Sequence, residues 1–113
     1  MILEKDSRVL ISHRRLFTED HPRFFLGIVE EYEAGLALVN GYSWQIELTR
    51  GELTRNSNAR KKVISLTSGT LIVYKLPDDL DIESLVLENH QQHIILTDHA
   101  GFEMDLTYRS SIA

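Results

Sequence analysis

The chain contains no cysteine and only two prolines in 113 residues. The first absence excludes a disulfide framework, a thiolate metal site and a cysteine nucleophile together. Scarce proline leaves extended segments uninterrupted, because little removes a backbone donor from a strand. No apolar run approaches the roughly 20 residues needed to cross a bilayer as a helix. The start, Met1-Ile2-Leu3-Glu4-Lys5-Asp6, lacks an apolar core of signal-peptide length. The expectation is a cytoplasmic chain with no membrane partner. Excess positive charge is missing too: 12 Lys+Arg stand against 17 Asp+Glu, a net charge of −5. That argues against generic polyanion binding, which needs cations to displace counterions from phosphates. No glycine-rich phosphate loop is present, since Gly27, Gly35 and Gly41 are widely spaced and none opens a helix. Gly-x-Ser-x-Gly is also lacking, so nucleophilic catalysis finds no support at Ser65, Ser68 or Ser84. A non-enzymatic protein without a cofactor is expected.

What is present is a 42% hydrophobic chain of one-domain length. Its dominant period is two, which predicts strands. Residues 8–13 form a first short strand. Phe24-Phe25-Leu26-Gly27-Ile28-Val29 is apolar on both faces, as in a strand that bends across a core. From Leu36 to Leu48 the alternation is long, with Leu36, Leu38, Tyr42, Trp44 and Ile46 on the side expected to face inward. Gly41 is its expected bend or bulge. Phe24 or Phe25, Ile28, Leu36 and Leu38 are the expected core of this central pair. Residues 51–60 are polar and rich in turn formers, and read as a flexible loop.

Two more strands, Lys62–Leu66 and Thr70–Tyr74, flank Ser68-Gly69. A single helical turn is suggested at residues 81–85. A hairpin follows, with strands at 93–97 and 102–106 around Asp98-His99-Ala100-Gly101. The chain thus reads as one all-β domain over 1–113. It divides into a barrel at 7–76 and a C-terminal β-hairpin extension at 77–107.

Gly27, Val29, Tyr32, Glu33, Leu36 and Leu38 fall on the pattern Gly-x-apolar-x-x-aromatic-acidic-x-x-apolar-x-apolar. This segment resembles the first motif of the Sm-like (Lsm) family. Residues 63–74, with Ser68-Gly69 before a closing strand, resemble its second motif. The resemblance implies a small five-stranded Sm-like barrel that assembles into rings through exposed strand edges. The family's base-holding pocket uses an Asn in the first motif and an Arg in the second. Here Ala37 and Ser68 stand at those positions. Alanine reads no base edge and serine has no flat cation to stack, so RNA is an unlikely partner.

The expected function is a self-assembling interaction module, a homo-oligomer that also contacts another macromolecule. The candidate edges are Phe24–Val29 and Thr70–Tyr74. The second is the more telling, because Leu71, Ile72, Val73 and Tyr74 are more apolar than one buried face requires. The rival is that the 93–106 hairpin covers this edge and leaves a monomer. Arg50, Arg55, Arg60, Lys61 and Lys62 place five of the twelve cations between residues 50 and 62, a candidate macromolecular contact. Trp44 and Tyr42 lie near it, and their parity favours core or subunit interface over base stacking. His90-x-x-His93, with Asp98 and His99, gives the only metal-like spacing. It supports an alternative, a metal-binding or hydrolytic protein, although histidines in a polar turn commonly bind nothing. RNA binding is the further alternative.

Overall fold

A computed structural model describes residues 2–13, 23–47, 51–91 and 93–106. The protein is all-β, built from two antiparallel sheets of which neither closes into a barrel. In the main sheet, β1 (Arg8–His13) lies between β2 (Arg23–Glu33) and β6 (Leu71–Leu76). On its far side β2 pairs with β3 (Leu36–Glu47). The long β3 then carries two short strands side by side along its other edge. β5 (Arg60–Ser65) pairs with residues 36–41, and β4 (Glu52–Arg55) with residues 44–47. The second sheet is a meander of β7 (Val86–His90), β8 (His93–Thr97) and β9 (Glu103–Asp105).

Both faces of the main sheet are apolar because each covers a different core. On the inner face, Val9, Ile11, Phe25, Val29, Ala37, Val39 and Ile64 form one buried cluster, with Leu3 packed onto it. On the outer face, Leu10, Phe24, Leu26, Trp44, Leu53 and Leu76 meet Leu85, Leu87 and Leu96 of the second sheet. The two-sided run at residues 24–29 is therefore accounted for by a covering sheet. Arg8 fixes the connection between the sheets, donating from Nε to the Leu80 carbonyl oxygen at 3.0 Å. A 3-10 turn, Ile82–Ser84, follows, with the Asp81 carboxylate accepting from the Glu83 backbone N–H.

Four expectations need correction. Residues 51–60 contain strand β4, because Leu53 is buried beneath the second sheet and its backbone pairs with β3. The C-terminal extension is three-stranded, since β7 precedes the expected hairpin. Phe24–Val29 is no edge; β2 is bonded on both sides. Finally, Ala37 and Val39 are buried on the inner face, whereas Leu36 stays 47% exposed. Leu36 shares the parity of Trp44 but lies at the end of the outer face that the outer cluster does not reach, where β2 also carries a bulge at Glu30. The β2–β3 register shifts between Val29 and Glu31, so one unpaired residue resets the alternation of β2. Tyr32 turns inward, while Glu31 and Glu33 stand opposite Leu38 and Leu36 on the outer face. The second sheet does not cover that part of the face.

Candidate interaction surfaces

Three surfaces inherit the candidate residues: the free sheet edges, the basic segment and the histidine hairpin. β5 and β6 are adjacent in sequence, joined through Ser68-Gly69, yet lie at opposite ends of the main sheet. Each bonds a neighbour on one side only among the described residues, leaving one row of N–H and C=O groups open. The second sheet does not pair with β6; it lies over the outer face. Of the apolar positions on β6, Leu71 and Val73 pack against the inner cluster and Tyr74 against the outer one. Ile72 remains 41% exposed, and Val63 on β5 is 67% exposed. Val63 pairs with Leu38 and Ile72 with Ser12, which places both on the outer face.

The basic segment is split by strand alternation. Arg50 lies outside the described residues, as do Arg14 and Arg15. Arg55 stacks over the Tyr42 ring at 4.2 Å and sits 4.0 Å from the Glu83 carboxylate. Tyr42 also donates its hydroxyl to Glu83 at 3.3 Å, so these three side chains clasp β3, β4 and the 3-10 turn. Lys61 points to the outer face and pairs with Glu30 at 3.2 Å. Lys62 points inward, its ammonium 4.7 Å above the Phe25 ring and donating to Ser43 Oγ at 3.3 Å. Arg60 shares the inward parity, opposite Gly41. The cations therefore serve different places, and Trp44 is buried in the outer cluster. Strand alternation on β5 was the signal that would have separated Lys61 from its neighbours.

The histidines gather around carboxylates. Glu88 on β7 accepts one imidazole on each oxygen, from His90 Nε2 at 2.8 Å and His99 Nε2 at 2.7 Å. His93 Nδ1 lies 3.3 Å from Asp105. Asp98 instead organises the turn, accepting from the backbone N–H groups of Ala100 and Phe102. Among the described residues no three such side chains converge in a metal-holding arrangement.

The hydrogen bond from His90, followed by that from His99, holds the Glu88 carboxyl below its ordinary value of 4.5. A depressed folded-state value means the unfolded chain takes up this proton first as pH falls. Stability from the clasp is present above about pH 4.5 and is lost below it. His90→Gln combined with His99→Gln should therefore flatten the fall in melting temperature between about pH 5 and pH 3. Parallel melting curves against pH for wild type and variant would refute this.

The uncovered outer face holds an open groove of about 590 Å³ lined by Lys5, Asp6, Ile28, Glu30, Glu31, Leu38 and Asn40. One of its carboxylates, Glu30, is held by Lys61 at 3.2 Å.

No family model, curated protein or solved structure matches this chain. Function must be argued from its own residues. The two positions at which the Sm-like pattern would hold a base are informative in that respect. Ala37 is buried in the inner cluster, where no ligand reaches it. Ser68 sits in an exposed turn, its hydroxyl 2.7 Å from that of Thr70. Among the described residues no helix is long and apolar enough to cross a membrane.

Proposed function

We propose that this protein is a non-enzymatic, Sm-like assembly module that joins to copies of itself through strands β5 and β6. The observation carrying this reading is the placement of Val63 and Ile72. Each is an exposed apolar side chain on a strand whose outer edge is unbonded among the described residues, and both lie on the same face. Pairing β5 of one copy with β6 of the next satisfies both rows of backbone groups. It also brings Leu38, Val63 and Ile72 onto one outer surface. The two edges differ from each other, so the contact is head to tail and closes into a ring when the rotation between copies allows it. Within each copy the second sheet covers the outer face of the main sheet.

Light scattering coupled to size exclusion is the test. A mass that is a multiple of 13.0 kDa is expected at micromolar concentration. Val63→Lys and Ile72→Lys, each on an exposed edge, should return the monomer without lowering the content of β structure. A wild-type mass of 13.0 kDa at that concentration would retire the assembly reading.

A further inference from the structure

The inner face of the main sheet ends, at one mouth, in a set of cations from three strands. His13 closes β1, Arg23 opens β2 opposite Gln45, and Phe25 two residues on stands opposite Ser43. Arg60 and Lys62 on β5 stand opposite Gly41 and Val39. All share the parity of Ile11, Phe25 and Val39, which is that of the inner cluster. Lys62 bridges the apolar floor and the polar rim, lying over Phe25 and donating to Ser43.

Charge concentrates here in an otherwise acidic chain. Burial first, then the positive charges of Arg23 and Lys62, hold the His13 imidazole below its ordinary value of 6.5. Three cations elsewhere are matched: Arg55 with Glu83, Lys61 with Glu30 and Lys75 with Asp78. Among the described residues no carboxylate lies within ion-pair distance of Arg23, Arg60 or Lys62. Gathering like charges costs folding free energy that a bound anion would recover.

We propose that this mouth binds the phosphate group of a small phosphorylated molecule, gripped by Arg23, Arg60 and Lys62 with Ser43 as a neutral donor. Guanidinium groups match phosphate oxygens with paired N–H donors, and the ammonium adds a point charge. A phosphate dianion answers several cations at once, which a single carboxylate does not. Arg23 and Lys62 both act on His13, a local grouping that suits one phosphate rather than a polymer backbone. Phe25, beneath Lys62, is too buried to stack on a base.

The test titrates inorganic phosphate into the full chain at constant ionic strength, following the His13 ring by NMR. Saturable shifts are expected, together with a rise in the His13 pKa as the anion offsets Arg23 and Lys62. Arg23→Gln and Lys62→Gln should each weaken binding by about tenfold or more. Lys61→Gln, on the opposite face, should leave it unchanged, and Lys62→Arg should retain it, which separates lost charge from lost fold. Shifts that do not saturate would overturn the proposal, as would equal losses in Lys61→Gln and Lys62→Gln. So would a short oligo-uridine that binds while phosphate does not, because the surface would then be a nucleic-acid track.

Discussion

Gly41→Ala is expected to lower the melting temperature by roughly 15 °C or to prevent folding, from a cost of about 3 kcal/mol or more. Gly41 lies directly across from Gly27 in the β2–β3 ladder. A Cβ on Gly41 would fall 2.1 Å from the Leu26 carbonyl oxygen and 2.5 Å from the Gly27 Cα. Both are backbone atoms at the centre of the sheet, so neither can move aside as a flexible side chain would. Gly27→Ala meets the same obstacle, with the Asn40 carbonyl oxygen 2.5 Å away. Gly69→Ala is the control, since nothing lies within 4 Å of its added methyl group. Thermal melting by circular dichroism compares the three. If Gly41→Ala melts like Gly69→Ala, the close approach of β2 and β3 is wrong.

Leu96→Ala carries the next largest effect, a loss of about 2–5 kcal/mol. Leu96 is fully buried between Leu85 and Leu87 of its own segment and Leu10 and Leu26 of the main sheet. Removing it opens a cavity at the junction of the two layers. Leu36→Ala, at a position 47% exposed, should cost under about 1 kcal/mol. Calorimetry should give a single transition for wild type, because the outer cluster belongs to both sheets. Two separated transitions, or a smaller loss for Leu96→Ala than for Leu36→Ala, would mean that the sheets do not share a core.

The strands that were legible from sequence are those with their own apolar signal. Residues 8–13 match β1, and Thr70–Tyr74 overlaps β6. The two-sided run at 24–29 reads as a strand in a closed barrel or one bending across a core, whereas its outer face meets a second sheet. β4 was illegible because Glu-Leu-Thr-Arg contains one apolar residue; its order comes from Leu53 packing and from the β3 backbone. β7 was hidden for a related reason. Asn89 interrupts its pattern, and its side chain is instead engaged with the Gly51 carbonyl at 2.7 Å. Parity in β3 failed at Leu36 and Leu38 because alternation cannot say which face meets which core. The reach of the second sheet over the outer face decided that, and no residue within β3 encodes it. The candidate cations were legible as a group and illegible as a surface, because Lys61 and Lys62 are neighbours in sequence and point to opposite faces.

The position of β1 between β2 and β6 has a consequence for the nascent chain. One neighbour of β1 is made almost at once, whereas the other is synthesised only after more than half of the sequence. From the completion of β2 until that of β6, β1 has one satisfied edge and one bare edge, with Val9, Leu10 and Ile11 behind it. The second sheet, being a local meander, needs no such wait, but its partner face is assembled early and stands uncovered until it arrives. Non-local pairing of this kind slows folding, and unpaired apolar edges are where aggregation begins. Expression yield should therefore respond more to slow passage through residues 71–76 than to rare codons in the 52–58 region. In this protein, the timing of the sixth strand governs how long the first is at risk.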